Sequence, residues 1–351
     1  MSDPIRIGIV GLGRMGRRRL STIMAHPDTV AVVGCDANIR RHDVEGLEVV
    51  GDHHAVLEAD VDAVFVCTPN RFAPEVVVDA LDSGRHVFSE KPPGRTVEDV
   101  TTMMTAEARN PGLALKFGFN HRYHLGIVEA KDIIDSQQYG PVLWARGVYG
   151  KGERPPGTTE WRSDPHVAGG GILLDQGIHM LDLLRYFVGD FVELKSMCTT
   201  AFWDTVLEDN AFALLRTNSG RVASLHSSFT QWKHLFRLEV GFADGFLSVD
   251  GMPSSTRSYR DERITHGRRR TGRGFTVGNP PEETRFFNVD PSWDSELVEF
   301  VDCVKRGHPV VHGSSHDAYE AMRMVHEIYE SDTAFADQLS LFRTTPADST
   351  P

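Results

Sequence analysis

Two short segments of this chain carry side chains suited to moving a proton and steadying a developing negative charge. The first is Ser89–Glu90–Lys91–Pro92–Pro93. An ammonium at Lys91 would hydrogen-bond a reacting hydroxyl and stabilise alkoxide charge during hydride removal. Glu90 would orient that lysine or contact a cofactor. The second segment is Asp175–Gln176–Gly177–Ile178–His179. Spaced i, i+4 on a helix, Asp175 and His179 project from one face. An imidazole of ordinary pKa, about 6.5, takes and returns a proton near neutral pH. Asp175 would hold a substrate or orient the ring. Gly177 costs a helix interior about 1 kcal/mol relative to Ala, which suggests a close approach to its backbone. Each segment also has a purely structural reading: a surface lysine in a proline turn, and a His–Asp pair satisfied internally.

A hydride needs an acceptor, and GLGRMG (11–16) satisfies the G-x-G-x-x-G pattern between a strand-like run and a helix-like one. Gly11 would allow the tight turn, Gly13 the approach of a pyrophosphate, and Gly16 close helix-to-strand packing. Arg14 and Met15 fall where the helix begins, and its free N–H groups would face the phosphates. Asp36 lies 20 residues beyond Gly16, at the end of the second strand-like run. A carboxylate there accepts hydrogen bonds from an adenosine ribose and repels a 2′-phosphate, which favours NAD over NADP. Arg40 and Arg41 would offset that repulsion unless they only cover a solvated helix face. Thr68 and Asn70, in the strand end Cys67–Thr68–Pro69–Asn70, either touch the dinucleotide or serve as turn residues.

Rival chemistries find no support. GxSxG, HExxH and the Walker lysine are absent. The sixteen histidines include His53–His54 but no zinc-like spacing, so no metal is expected. The four cysteines form no CxxC pair, which suits a reducing cytoplasm without disulfides. A formal charge of -12 disfavours nucleic acid and anionic membrane as partners. No apolar run approaches the roughly 20 residues that span a bilayer, and the N-terminus does not read as a secretory signal.

The elements that position these residues fall into two patterns. Up to residue 119, apolar runs at 5–10, 30–35, 62–67, 86–89 and 113–119 alternate with helix-like stretches near 14–25, 73–83 and 96–108. That alternation implies a doubly wound parallel sheet, with GLGRMG and SEKPPG at strand ends where such folds gather ligands. Beyond 120, helix-like stretches at 123–136 and 169–189 flank a strand at 142–150 and a loop rich in Gly and Pro. Closely spaced strands follow, joined by turns at Asn218–Ser219–Gly220 and Ala243–Asp244–Gly245, as in an antiparallel sheet. Helices at about 292–306 and 315–332 close the chain. The expected division is a Rossmann domain over 1–120, a substrate-binding and oligomerisation domain over 121–335, and a flexible tail over 336–351.

GLGRMG, the CTPN strand end, the EKPPG turn, AGGGILLDQGIHMLDLLRYFVG and GFADGFLSVDG occur in an order that resembles the Gfo/Idh/MocA family, named for glucose–fructose oxidoreductase and inositol dehydrogenase. The resemblance spans about 5–330. It implies a Rossmann domain followed by an α/β domain on a large, mostly antiparallel open-faced sheet, assembled as a homodimer or homotetramer. The family lysine falls on Lys91, its aspartate on Asp175 and its acid/base histidine on His179. Asn120 and Arg122, in GFNHRY, align with a joining segment that borders the substrate. The implied activity interconverts a secondary hydroxyl and a ketone on a sugar, inositol, sugar phosphate or nucleotide sugar. Two alternatives stand beside it: a silent NAD(P)-binding sensor, and a sugar–sugar oxidoreductase that retains its cofactor.

Two segments complete the expectations. Trp161, Arg162 and His166 precede the catalytic helix and are candidates for lining the substrate pocket. RSYRDERITHGRRRTGRGF (257–275) holds seven arginines. It suits either a phosphate-bearing substrate or a solvated loop.

Overall fold

The computed structural model describes residues 3–38, 44, 46–152, 160–254, 258–272, 275–276 and 278–337. The chain divides into two units. One comprises Met1–Asn120, Val167–Gly169 and Ser292–Met322; the other comprises His121–His166, Gly170–Pro291 and Arg323–Pro351.

In the first unit the strands and helices alternate: β1 (Ile5–Val10), α1 (Arg14–Ala25), β2 (Thr29–Cys35), β3 (Glu48–Val50), α2 (His53–Glu58), β4 (Ala63–Val66), α3 (Ala73–Asp82), β5 (His86–Ser89), α4 (Val97–Arg109) and β6 (Leu115–Phe117). The strands form a parallel six-stranded sheet in the order β3-β2-β1-β4-β5-β6. Helices on both faces bury a parallel sheet twice over, which is why β4 reads as an unbroken apolar run and not as alternation. A capping box, Thr96 with Asp99, starts α4. Phe65 and Phe88 stack at 4.7 Å in the core, and Phe300 meets both edge-on.

Phe300 comes from far along the chain, on α8 (Ser292–Arg306). Its apolar stripe, Leu297, Phe300 and Val301, joins the core cluster of Ile7, Ile9 and Leu12. The unit that begins at residue 1 therefore does not end at 120; residues 292–322 complete it. Burial of that stripe is the physical reason.

The second unit contains α5 (Leu125–Asp135), β7 (Val142–Gly150), the short α6 (Pro165–Ala168) that runs on into the first unit, α7 (Ile178–Val188), β8 (Phe191–Thr199), β9 (Asn210–Thr217), β10 (Val222–Ser228), β11 (Leu235–Phe242), β12 (Gly245–Asp250), β13 (Glu262–Arg268), β14 (Thr271–Gly272), β15 (Phe275–Thr276) and β16 (Glu283–Phe287). The last helix, α9 (Ser315–Ser331), starts in the first unit and ends in this one. Eight strands form one sheet in the order β16-β13-β12-β11-β7-β10-β9-β8. Only the β7–β10 pair within it is parallel. The two expected hairpin turns join β9 to β10 and β11 to β12. α5 and α7 lie against one face. Residues of β9 alternate between buried and exposed, as expected for a sheet covered on one side. Trp144, Met197, Phe212 and Leu214 are large apolar side chains left exposed.

The helix expected over 169–189 begins only at Ile172 and is not α-helical throughout. A π-helical turn, Leu173–Gly177, precedes α7, and Gly169 takes φ 82°. A carboxylate from the loop between β8 and β9 holds that start, as described below. Among the described residues, no helix is long and apolar enough to cross a membrane.

Candidate active site

The three motif glycines of the first unit serve three different ends. Gly11 has φ 93°, and a Cβ there would lie 2.6 Å from the Cys67 carbonyl oxygen. A Cβ on Gly16 would lie 1.8 Å from the Gly11 oxygen, so only glycine lets α1 come this close to the turn. A Cβ on Gly13 would meet nothing within 4 Å. Gly13 therefore leaves room beside the N-terminus of α1, whose first turn has neither an acidic residue nor a side-chain cap. Arg14 is exposed there and Met15 half-buried. Thr68, whose amide nitrogen borders the Gly11 turn, keeps its Oγ1 buried with no hydrogen-bond partner. Room at Gly13, uncapped N–H groups and an orphaned hydroxyl together fit a dinucleotide phosphate.

Asp36 is part of the same loop. Its Oδ2 accepts the Leu12 N–H at 2.8 Å and its Oδ1 accepts the Asn38 N–H at 2.8 Å. One carboxylate thus fixes the glycine turn and stands where a ribose partner was expected. Asn70 is turned elsewhere, donating to the Ala168 carbonyl at 2.7 Å. Arg40 and Arg41 lie outside the described residues.

Lys91 is half-buried directly after β5, and the Lys91–Pro92 peptide is cis. Glu90 accepts from Arg19 Nε at 2.6 Å, while Arg19 Nη2 reaches Glu296 at 2.7 Å. The guanidinium lies 4.3 Å from the Phe88 ring and 4.4 Å from that of Trp293. Burial opposes its charge, but the two carboxylates outweigh that and hold Arg19 protonated more firmly than usual.

In the second unit, Asp175 sits on the π turn with Arg162 Nε and Lys151 Nζ each 3.9 Å from one of its oxygens. His179, four residues on, is 3% exposed on α7. Its ring lies face to face with that of His121, centroids 3.7 Å apart and planes 11° off parallel. His121 Nε2 is 3.1 Å from the Tyr149 hydroxyl. Burial first, then Tyr259 and Asp175, push Tyr149 well above its ordinary pKa, so it stays a neutral phenol.

The approach to Gly177 comes from within the fold: a Cβ there would lie 3.1 Å from the Ser227 Cβ on β10. Glu208 caps the start of this stretch, accepting from the Gly171 and Leu173 N–H groups and from the Tyr329 hydroxyl at 2.7 Å. Burial raises its carboxyl to about 7 against those donors.

The other expected residues divide. Arg162 reaches Asp175 and packs over the Trp161 ring at 4.3 Å. The His166 N–H donates to Asp164 at 2.8 Å, and the residue is half-buried. Arg122 instead forks inward onto Asp182, at 2.8 and 2.6 Å, and lies over the Tyr186 ring. Asn120, in the first unit, donates to Ser292 Oγ at 3.0 Å. Lys91, Glu90 and the glycine loop belong to the first unit, Asp175 and His179 to the second. His121, Tyr149 and Lys151 escaped the sequence reading. Only the position of His121 between Asn120 and Arg122 hinted at it. Among the described residues, His53, His54 and Asp79 also bring ligand atoms within 4.8 Å of one another, a grouping hidden in the sequence because Asp79 comes from α3.

Comparison with known proteins agrees with both halves. The profile described as "Oxidoreductase family, NAD-binding Rossmann fold" matches residues 5–118, and that described as "GFO/IDH/MocA C-terminal domain" matches 127–248. D-glucoside 3-dehydrogenase of Escherichia coli K12 is 30% identical over 256 residues, 65% of this chain and 71% of that protein. Myo-inositol 2-dehydrogenase of Thermotoga maritima is 27% identical over 320 residues, 87% of this chain and 90% of that protein. In fold, the chain is similar to levoglucosan dehydrogenase in complex with NADH, with a TM-score of 0.80, 21% identity, and coverage of 95% of this chain and 98% of that one. A 3-ketoreductase from Actinomadura kijaniata, crystallised with NADP and TDP-benzene, gives a TM-score of 0.77 at 22% identity, covering 94% of this chain and 98% of that one.

Proposed function

The chain belongs to the Gfo/Idh/MocA family of NAD(P)-dependent oxidoreductases, and on that premise we propose that it interconverts a secondary hydroxyl and a ketone on a sugar-like ring with NAD(H). The observation that supports this reading best is the setting of His179: a buried imidazole one helical turn beyond a carboxylate that two cations flank. A polyol hydroxyl suits such a carboxylate, and an imidazole suits the proton of its neighbour.

When bound, the nicotinamide accepts or returns the hydride. The loop of Gly11, Gly13, Arg14, Met15 and Gly16 with the N-terminus of α1 holds the pyrophosphate, and Asp36 takes the adenosine ribose. Thr68 and Glu90 border the cofactor, while Asn70, turned onto the Ala168 carbonyl, shapes the strand end. His179 removes or restores the hydroxyl proton, and Lys91 donates a hydrogen bond to the reacting oxygen. Asp175 anchors a substrate hydroxyl, and Trp161, Arg162 and His166 line its pocket. Arg122 and Asn120 are engaged inside the protein, by Asp182 and Ser292, and hold the backbone of this segment instead of touching substrate.

Arg263 faces Asp250, while Arg268 bonds the Gln138 carbonyl and covers the Tyr139 ring. Arg257 and Arg273 lie outside the described residues. The engagement of Arg263 and Arg268 within the protein supports a neutral sugar or inositol over a phosphorylated one. The exposed Trp144, Met197, Phe212 and Leu214 support pairing with a second copy, as a homodimer or homotetramer. Four cysteines without a disulfide support a reducing, cytoplasmic setting.

The test is a panel of sugars and inositols with NAD⁺, read by nicotinamide absorbance, on wild type, Lys91→Ala and His179→Ala. Each variant is expected to lose on the order of 100-fold or more in kcat, with NADH affinity kept. Wild-type rates in both variants would sink the assignment. NADH binding without turnover of any substrate would leave the sensor reading.

A further inference from the structure

The roles assigned above leave His121 unused, although its ring is nearly as buried as that of His179. The two imidazoles are in face-to-face contact at 3.7 Å. Neutral rings stack without penalty. Two imidazolium ions so close, with little water to screen them, repel strongly, so the second proton enters only at much lower pH than the first.

The surroundings bear on which ring holds the proton. From β7, the Tyr149 hydroxyl faces His121 Nε2, with Tyr259 packed against its ring. His124 meets His121 edge-on at 5.5 Å and has Glu262 and Asp290 at 4.0 and 3.9 Å from its Nδ1. On the π turn stands Asp175, flanked by Lys151 and Arg162. Along α7 the charged groups are paired elsewhere, Asp182 with Arg122 and Arg185 with Asp190. On β10, His226 stacks on Phe212 and is bonded to Asn210. Burial, opposed by Asp290, lowers His124 to about 4, so it adds no cation beside His121 at neutral pH.

We propose that His121 is a positioning residue for His179: the stacked pair carries at most one proton near neutrality, so His121 both fixes the plane of the His179 ring and keeps that ring unprotonated as a base. The inference rests on the reading of His179 as acid/base. The Tyr149 oxygen, 3.1 Å from His121 Nε2, is placed to accept from that nitrogen once it is protonated, which puts the pair's proton on His121 and leaves His179 the base.

The test is a ¹⁵N-histidine NMR titration of the full-length protein without substrate, in wild type and His121→Phe, with His179→Asn used for assignment. Phenylalanine keeps a stacking ring and removes the second titration. In wild type the pair is expected to titrate in two steps more than about one pH unit apart. In H121F, His179 is expected to titrate in one step, moved up by about one unit. The acid limb of kcat/KM should move with it, while NADH affinity stays unchanged. Independent one-step titration of both rings in wild type would overturn the proposal without recourse to any variant, and so would an unmoved His179 in folded H121F. Survival of turnover in H179N is a separate readout and would overturn the acid/base reading itself.

Discussion

Arg19 holds Glu90, the residue before Lys91, through a 2.6 Å contact from Nε, and it uses another nitrogen to hold Glu296 of α8. A helix at the start of the chain and one near its end are thereby tied to the turn that presents the candidate lysine.

Replacing Arg19 with methionine leaves two carboxylates at this place without their cation, one of them fully buried. Breaking a buried pair in this way costs about 3–5 kcal/mol. Urea unfolding of R19M should show a loss of that order, and the double variant R19M/E296M should recover part of it. Wild-type stability in R19M would mean that the pairing contributes nothing net.

Asp36 ties the loop and is the residue proposed for the ribose, and two substitutions separate the tie from the proposed contact. Asp36→Asn retains an oxygen for the Leu12 N–H but lacks the charge that repels a 2′-phosphate. Fluorescence titration should show NADPH binding improved relative to NADH by about tenfold or more in D36N. Asp36→Ala should weaken both cofactors, since the loop itself loses its tie. An unchanged NADH-to-NADPH ratio in D36N would remove Asp36 from cofactor selection.

Gly177→Ala should destabilise the protein despite the better helix former. The new methyl would sit 2.9 Å from Leu173 Cδ1 and 3.1 Å from Ser227 Cβ. Overpacking of about 1–3 kcal/mol exceeds the roughly 1 kcal/mol gained from propensity. A thermal midpoint equal to or above that of wild type would show that Leu173 and β10 yield freely.

His124 and Glu262 make opposite contributions to pH dependence. Burial lowers His124 to about 4, so its share of stability rises with pH between about 4 and its unfolded value of 6.5. Burial raises Glu262 to about 7, so its share falls as pH climbs from its unfolded 4.5 toward 7. Denaturant titrations should therefore show the slope of stability against pH turned upward relative to wild type in Glu262→Gln and downward in His124→Asn. Each change of slope should reach at most about 1.4 kcal/mol per pH unit. A wild-type slope in both variants would mean that these shifts do not exist in solution.

Much of the first unit was legible along the chain. Gly11 and Gly16 are demanded by local backbone geometry, a positive φ and a 1.8 Å clash, and such demands appear directly as glycine spacing. Apolar runs of strand length announce a parallel sheet because both faces are buried. The two hairpin turns of the second sheet were equally plain, being four-residue affairs of local torsion.

What the chain order could not announce are relations whose partners lie far apart in it. Leu297, Phe300 and Val301 complete the first core because an apolar stripe must be buried somewhere, and periodicity shows the stripe but not its destination. The same holds for the cap that Glu208 places on the start of the Asp175 helix, and for the inward fork of Arg122 onto Asp182. Residue types and short spacings marked the groups on which the proposed chemistry rests: a nucleotide loop, a lysine turn, and an aspartate with a histidine. Tertiary structure alone decided the setting of that chemistry, the stacked ring of His121 and the two cations beside Asp175. Packing and electrostatics act through distance in space, and sequence separation carries no measure of it.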